Sequence, residues 1–81
     1  MKLFVANLSF DTKSEDLIKA FEVHGKVISA SVIQDRATNR SRGFGFVEMD
    51  NQEAALLAIE ELHDTTLQGR TIVVKVATAR N

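Results

Sequence analysis

The feature that most constrains the fold is the stretch RGFGFVEM, residues 42–49. Side chains of a β-strand point alternately to the two faces of a sheet. With that period, the stretch divides into Gly45, Val47 and Met49 on one face and Phe44, Phe46 and Glu48 on the other. Small and aliphatic side chains suit a buried face, whereas two aromatic rings beside a carboxylate suit neither a core nor an ordinary wet surface. The stretch therefore predicts a strand with one packed face and one open face. Gly45, unfavourable inside a strand, is expected where a helix comes close.

Three further stretches have the composition of strands. Residues 2–8 (KLFVANL), 27–34 (VISASVIQ) and 71–77 (TIVVKVA) are rich in β-branched and aliphatic residues. Such runs between polar residues are typical of strands. Residues 35–41 (DRATNRS) predict a polar, flexible turn, and residues 63–70 (HDTTLQGR) predict a connection.

Two segments between these strands predict helices. The first opens at Thr12, because a threonine followed three residues later by Glu15 is a capping-box pattern, and it ends at Gly25, which suits a left-handed cap. The second opens at Asp50, with Glu53 in its first turn. Both contain stripes at helical spacing: Leu17, Ala20, Phe21 and His24 in the first, and Ala55, Ala58, Ile59 and Leu62 in the second. These stripes predict one buried side for each helix.

The element order β-α-β-β-α-β predicts an α+β fold of the ferredoxin-like sandwich type, a four-stranded antiparallel sheet with two helices on one face. The first and third strands are the central neighbours in this topology. Leu3 and Val5 belong on the side of the helices, so Phe4 points to the open face with Phe44 and Phe46. Three rings are therefore expected to meet on a face that no helix covers.

Length and composition limit the classes of function. With 81 residues and a net charge of −1, we expect one domain over residues 1–81 with a single core. The chain has no cysteine, and His24 and His63 stand apart from any second ligand at metal spacing. No nucleophile lies beside a recognisable base. We therefore expect no cofactor, no metal ion and no enzyme activity.

The same composition indicates a compartment. No apolar run approaches the roughly 20 residues of a membrane span, and the first residues become polar too quickly for a signal peptide. Together with the lack of cysteine, these features favour a reducing, cytoplasmic environment and no membrane partner.

The charges are divided unevenly along the chain. The expected open face, the loop at 35–42 and the chain ends carry six basic residues against the acidic Asp35 and Glu48. These basic residues are Lys2, Arg36, Arg40, Arg42, Lys75 and Arg80. The remaining positions carry four basic and nine acidic residues. This division predicts a basic surface with acidic helices behind it, which suits a polyanion on the open face.

The stretch RGFGFVEM resembles the longer signature of the RNA recognition motif (RRM) family, with Met49 in place of the last aromatic residue. LFVANL, residues 3–8, resembles the shorter signature on the first strand. The resemblance covers the whole chain and looks like the small single-domain RRM proteins of bacteria, or an isolated domain. It implies that Phe4 and Phe44 each stack a base, and that Phe46 packs against a sugar or between two bases.

The resemblance also implies single-stranded RNA as the partner, bound with modest sequence specificity. Arg42 is expected to contact a phosphate, because its forked guanidinium suits that group. Further candidates for contact with RNA are Lys2, Arg36, Arg40, Lys75, Ser31, Ile33 and Arg80. The modest specificity follows from the few hydrogen-bonding groups expected on this face, where Ala6 stands at a position that is often asparagine in the family.

Alternative functions stay open at this point. Single-stranded DNA is one, because stacking does not sense the 2′-OH. An RRM-like protein-interaction module is another, using the helical side, where Leu56 and Leu57 are expected to be partly exposed. A small ferredoxin-like acyl phosphate hydrolase is disfavoured, because NLSFDTK at residues 7–13 has no glycine or arginine to hold phosphate. We expect a monomer with, at most, weak protein contact through its helices.

Overall fold

The computed structural model describes residues 1–34 and 41–77, with the backbone alone at residues 34, 41 and 42. The elements are β1 (Lys2–Ala6), α1 (Ser14–Glu22), β2 (Val27–Gln34), β3 (Ser41–Met49), α2 (Gln52–Leu62), β4 (Thr66–Leu67), β5 (Arg70–Thr71) and β6 (Val73–Val76). The predicted order is confirmed, with β6 as the fourth strand of the main sheet. A short pair, β4 and β5, precedes it.

The main sheet has the strand order β2-β3-β1-β6 and is antiparallel throughout. β1 and β3 are the central pair, as expected. Their register sets Phe4 opposite Phe46 and Ala6 opposite Phe44. β6 pairs with the other side of β1, where Lys75 lies opposite Phe4. The topology therefore brings residues from both ends of the chain to the middle of one face.

Both helices pack on one face of the sheet and form the core with it. The buried apolar side chains are Leu3, Val5, Leu8, Leu17, Phe21, Val47, Met49, Ala55, Ala58, Ile72 and Val74. Burial of each large side chain among them contributes roughly 1.5–3 kcal/mol. Val47 and Met49 belong to this set, whereas Phe44 and Phe46 do not. The predicted division of β3 into a packed face and an open face is confirmed.

Gly45 marks a close approach on the packed face. A Cβ at this position would lie 3.3 Å from Leu17 Cδ1 of α1, and 2.5 Å from the carbonyl oxygen of Ser31 in β2. The expected contact with a helix is confirmed, and the neighbouring strand comes closer still. A side chain at this position would have to displace the backbone of β2.

Gly25 does not form the predicted left-handed cap of the first helix. α1 ends at Glu22, and Val23 is its C-cap in a right-handed conformation. A Cβ at Gly25 would instead collide with the side chain of Ala54 in α2. The glycine is therefore explained by close packing between the end of α1 and the start of α2.

The first helix begins later than predicted, and Thr12 does not cap it. Its N-cap is Lys13, whose backbone N–H donates to the Asp16 carboxylate at 2.8 Å. Thr12 is buried, and its hydroxyl donates to Gln68 Oε1 at 2.7 Å. The prediction was wrong because this threonine connects the loop to the hairpin instead of capping the helix.

The second helix is likewise capped one residue later than predicted. Asn51, not Asp50, is the N-cap, and its Oδ1 accepts from the N–H groups of Glu53 and Ala54 at 2.7 and 3.3 Å. Asparagine and aspartate are about equally good caps. The pattern alone therefore left the exact position open by one residue.

Two strand ends also differ from the prediction. β1 ends at Ala6, not at residue 8, because Asn7 adopts a left-handed φ of 61°. The fourth strand begins at Val73, not at residue 71. Residues 66–71 form the hairpin of β4 and β5, with Gln68 and Gly69 at positive φ in the turn. A strand of only two residues is too short to show the alternation of side chains from which strands are predicted.

Candidate nucleic-acid interface

Three phenylalanines lie together at the centre of the open face, as the sequence predicts. The ring centroids of Phe4 and Phe44 are 5.7 Å apart, those of Phe4 and Phe46 5.6 Å, and those of Phe44 and Phe46 6.4 Å. The first two contacts are tilted, at 39° and 56°, and the third is edge-to-face, at 88°. Aromatic pairs prefer such arrangements. All three residues are partly buried, and together we call them the aromatic platform.

Several neighbours of the aromatic platform are small or aliphatic. Ala6 lies opposite Phe44 on one side and opposite Val73 of β6 on the other. Ser31 of β2 is exposed and lies opposite Phe46. Ile33, the other candidate on β2, is partly buried two residues further along the same strand. The register thus sets side chains of low bulk beside the rings.

Two lysines flank the aromatic platform. Lys2 Nζ lies 5.0 Å from the centroid of the Phe46 ring, a cation–π contact. Lys75 is exposed and lies opposite Phe4. Glu48 is exposed on the same face and lies opposite Lys2 in the register. The centre of the face therefore combines aromatic rings with two cations and one anion.

The four predicted arginines are only partly covered by the structure. Arg36, Arg40 and Arg80 lie outside the described residues. Arg42 lies in β3, two residues before Phe44, but its side chain is outside the described part. Contact of these four residues with a nucleic acid stays a prediction.

Sequence reasoning missed a basic side chain next to the first strand. Arg70 is one of the four basic residues counted outside the expected basic surface, but its Nη2 donates to Asn7 Oδ1 at 2.6 Å. The Asn7 amide in turn donates to the carbonyl oxygen of Thr71. Asn7 directly follows Ala6 of β1. The only available signal was the tolerance of asparagine for positive φ, which does not reveal the partner.

The opposite side of the sheet carries the acidic helices. Glu15 and Asp16 lie in the first turn of α1, and Glu53 lies in the first turn of α2. Carboxylates at these positions interact favourably with the helix dipole. Glu60 and Glu61 are exposed near the end of α2. These five acids therefore lie on elements that pack against the face opposite the aromatic platform.

The side chain of His63 has a hydrogen-bond partner in the fold. His63 Nδ1 accepts from the N–H of Val74 at 3.1 Å, and His63 Nε2 lies 3.8 Å from Asp64 Oδ2. Across residues 1–34 and 41–77, no group of three or more His, Cys, Asp or Glu side chains is arranged to hold a metal ion. Over the same ranges, no helix is long and apolar enough to cross a membrane. What the open face offers chemically is stacking and charge.

A family model for the RNA recognition motif matches residues 3–73. The chain belongs to the RNA recognition motif family. The match includes both strands of the aromatic platform and both helices. The one departure from the longer signature, Met49, is fully buried and therefore concerns the core of this RRM.

Solved structures share this fold along nearly the whole chain. RNA Binding Protein PG1 is 49% identical with a TM-score of 0.93, covering 100% of this chain and 98% of that chain. The second RRM domain of yeast poly(U)-binding protein Pub1 is 31% identical with a TM-score of 0.86, covering 99% and 96%. A chain of a Sex-lethal protein/RNA complex is 28% identical with a TM-score of 0.88, covering 94% and 47%.

Curated relatives are longer than the chain. RNA-binding protein CP31B, chloroplastic, of Arabidopsis thaliana is 47% identical over 79 residues, which are 98% of this chain and 27% of that protein. Glycine-rich RNA-binding protein 4, mitochondrial, of the same plant is 48% identical over 80 residues, 99% of this chain and 59% of that protein. The chain thus spans less than two thirds of either relative.

Proposed function

We propose that the chain binds single-stranded RNA on the open face of its sheet, with bases stacked on the aromatic platform. The observation that carries this proposal is the meeting of Phe4, Phe44 and Phe46, with centroids 5.6–6.4 Å apart, on a face that neither helix covers. Bases of single strands have accessible π-faces that stack on aromatic side chains. Each stack contributes about 1–3 kcal/mol by alanine substitution.

Relatives support RNA as the ligand. CP31B and glycine-rich RNA-binding protein 4 are both named as RNA-binding proteins. The matched Sex-lethal chain comes from a protein/RNA complex. Because the family and the fold are shared with these proteins, the same class of ligand is the simplest proposal for this chain.

The proposed roles follow from position and chemistry. Phe4 and Phe44 each stack a base, and Phe46 packs against a sugar or between two bases. Lys2 and Lys75 lie beside the rings and attract phosphates. Further proposed contacts with phosphates are Arg36, Arg40, Arg42 and Arg80. Ser31 and Ile33 are proposed to contact a base or sugar. Arg70 of β5, which is hydrogen-bonded to Asn7 just after β1, is a further proposed contact.

We propose weak and sequence-tolerant binding. One platform of this size contacts two to four nucleotides, and three stacks less the cost of association give a Kd in the roughly micromolar range. Neutralisation of about three phosphates gives a log–log salt slope near −2 for a single strand. In the described part of this face, the polar side chains beside the rings that are not basic are Ser31, which is uncharged, and Glu48, which is acidic. Few groups are therefore present to distinguish one base from another.

The test is a fluorescence-anisotropy titration with short RNAs of mixed, pyrimidine-rich and purine-rich sequence at two salt concentrations. Wild type is compared with the triple variant Phe4→Ala/Phe44→Ala/Phe46→Ala. Phe10→Ala is the matched control, because Phe10 is 60% exposed and lies in the loop after β1. A thermal melt verifies that each variant is folded. A DNA strand of the same sequence is titrated in parallel.

We expect wild type and Phe10→Ala to bind RNA alike and the folded triple variant to lose most of its affinity. Equal binding by the triple variant would show that the contact is electrostatic and lies elsewhere. No binding by folded wild type would refute the proposal. Tighter binding of the DNA strand would move the proposal to the single-stranded DNA alternative.

A second candidate function is protein contact through the helices. Leu56 and Leu57 are 46% and 45% exposed on α2, which supports the expectation from the sequence. We propose this contact only as an addition to RNA binding, because an exposed pair of leucines names no partner. Three further expectations stay predictions: a binding role without catalysis, a single domain over residues 1–81 and a cytoplasmic compartment. On the last, the two curated relatives above are named chloroplastic and mitochondrial.

A further inference from the structure

At each outer edge of the sheet, one outward backbone N–H donates to a side chain. At the β6 edge, the N–H of Val74 donates to His63 Nδ1. At the β2 edge, the N–H of Val32 donates to Ser14 Oγ at 3.3 Å. Backbone groups of an antiparallel strand point to alternate sides, so Ala30, two residues before Val32, also directs its N–H and C=O away from β3. Within residues 1–34 and 41–77, no partner for these two groups of Ala30 is found.

The sequence of this edge is nearly symmetric. Residues 27–33 read Val-Ile-Ser-Ala-Ser-Val-Ile, which is close to a palindrome centred on Ala30. If two copies pair antiparallel about this residue, Ala30 lies opposite Ala30 of the second copy. Ser29 then lies opposite Ser31, and Ile28 lies opposite Val32. Each pair joins side chains of the same character, and such cross-strand pairs stabilise sheets.

The centre of symmetry coincides with the outward direction of the backbone. In an antiparallel pair, residues that face each other with outward N–H and C=O groups exchange two hydrogen bonds. Ala30 has this direction, whereas Ser29 and Ser31 turn their backbone groups towards β3. A palindrome centred one residue earlier or later would place the wrong backbone groups at the two-fold axis.

A groove beside Val32 fits the same register. It has a volume of about 510 Å³ and is lined by Lys13, Ser14, Glu15, Ile18 and Val32. Antiparallel pairing about Ala30 brings Ile28 of the second copy next to Val32, at this groove. Ile28 is 55% exposed in the single chain. No charged residue occurs in β2 (Val27–Gln34), so no like charges oppose each other across the edge.

We propose that β2 is a self-association edge, through which two copies pair antiparallel about Ala30 in a two-fold dimer. The two four-stranded sheets then form one continuous sheet of eight strands. The two-fold axis runs perpendicular to the sheet, so both aromatic platforms lie on the same face. If the proposed RNA binding holds, one strand crossing both platforms binds more tightly than a strand on one, through effective concentration.

Irregularities at both ends of β2 are expected to keep this association weak. The register of β2 against β3 shifts between Val27 and Ser29 and again between Val32 and Gln34. Such irregularities twist an edge and limit further pairing. The segment that pairs regularly with β3 covers residues 29–32, and Ile28 lies just before it. An interface of this length is well below the size of a standard complex. We therefore expect weak association, with a Kd on the order of 0.1–1 mM, at the weak end of the affinity scale. At low concentration the proposed dimer dissociates, which is compatible with the monomer expected from the sequence.

Sedimentation equilibrium of the chain without RNA, from about 10 μM to 2 mM around that expected Kd, tests the proposal directly. Ile28→Lys places a charge on the edge, whereas Val23→Lys makes the same change at a residue that is 78% exposed at the end of α1. We expect Ile28→Lys to raise the dimer Kd about tenfold or more, because an edge lysine blocks pairing, and Val23→Lys to leave it unchanged. A wild type that stays monomeric to the highest concentration, or equal effects of both variants, would overturn the proposal.

Disulfide trapping tests the register. The natural chain contains no cysteine, so the single variants Ser29→Cys and Ser31→Cys each carry one thiol. Opposite residues of an antiparallel pair come within disulfide range, whereas diagonal ones do not. When the two variants are mixed and oxidised, the mixed disulfide should exceed either homodimer. A statistical mixture of the three would contradict the pairing about Ala30. Because RNA is absent from both experiments, failure here leaves the RNA proposal standing.

Discussion

The two faces of the sheet are made by alternate residues of the same strands, yet they differ in what their side chains do. Leu3 and Val5 of β1 are fully buried against the helices. Phe4 lies between them in the chain, is only partly buried and touches two other rings on the opposite face. The packed face holds the fold together, whereas the open face keeps its largest apolar groups at the surface. If RNA binds as proposed, stability and binding depend on separate faces of the sheet.

This separation has a consequence for substitution. Removing a side chain from the packed face leaves a cavity, because the surrounding core relaxes only in part. Removing a ring from the open face leaves a surface that water fills. The first change should alter the free energy of unfolding, and the second should alter the affinity for RNA.

The largest effect is expected from adjacent residues of β1. Leu3→Ala should lower the free energy of unfolding by about 2–5 kcal/mol, because Leu3 is fully buried. Phe4→Ala should lower it less, by about 1–3 kcal/mol, because Phe4 is only partly buried and its two ring contacts contribute about 0.5–1.5 kcal/mol each. Urea denaturation of both variants measures the difference. Equal losses would mean that the open face contributes as much to the free energy of unfolding as the packed face.

The second effect concerns Gly45, which lies between two platform rings in the chain but belongs to the packed face. Gly45→Ala should destabilise the fold by roughly 1–3 kcal/mol, as overpacking does. The added Cβ would lie 2.5 Å from the Ser31 carbonyl oxygen and 3.1 Å from Val32 Cα. Urea denaturation measures the loss. A variant as stable as wild type would show that β2 yields easily at this point.

The third prediction separates stacking from apolar burial. Phe44→Leu keeps an apolar side chain of similar reach but removes the π-face. We expect RNA affinity to fall by about 1–3 kcal/mol, the contribution of one stack, with little change in the unfolding free energy. Anisotropy titration measures the affinity, and urea denaturation measures the stability. Unchanged affinity would mean that Phe44 acts by bulk alone.

The smallest effect is expected from the cations. Lys75→Gln should make the log–log salt slope of RNA binding shallower by about 0.7, the contribution of one phosphate on a single strand. Lys19→Gln is the matched control, because Lys19 is exposed in the last turn of α1. It should leave the slope unchanged. The same decrease for both variants would point to general charge instead of a phosphate contact on the open face.

The alternation of β1 and β3 predicted the two faces because period 2 is fixed by strand geometry. The order of elements predicted which strands are neighbours, and hence the meeting of the three rings. Both predictions depend on features that extend over many residues. Local variations in one or two side chains do not disturb them.

Other features depend on single residues and could not be predicted. Thr12 does not cap the first helix because its hydroxyl donates to Gln68, far away in the sequence. The cap of the second helix is Asn51 instead of the neighbouring Asp50, two residue types that cap about equally well. The left-handed turn at Asn7 is stabilised by Arg70 and Thr71, again distant in the chain. Contacts of this kind appear only when the fold has brought the partners together. The sequence therefore predicts which side chains share a face of the sheet more reliably than the residue at which a helix or strand begins or ends.

The most direct test of the account uses the phenylalanines themselves. The chain has five and no other aromatic residue apart from two histidines. NMR of a sample with labelled phenylalanine rings, titrated with single-stranded RNA, reports on each of them. Phe4, Phe44 and Phe46 should shift together, whereas the buried Phe21 and the exposed loop residue Phe10 should not. Shifts of Phe10 with an unchanged aromatic platform would contradict the claim that the open face binds RNA.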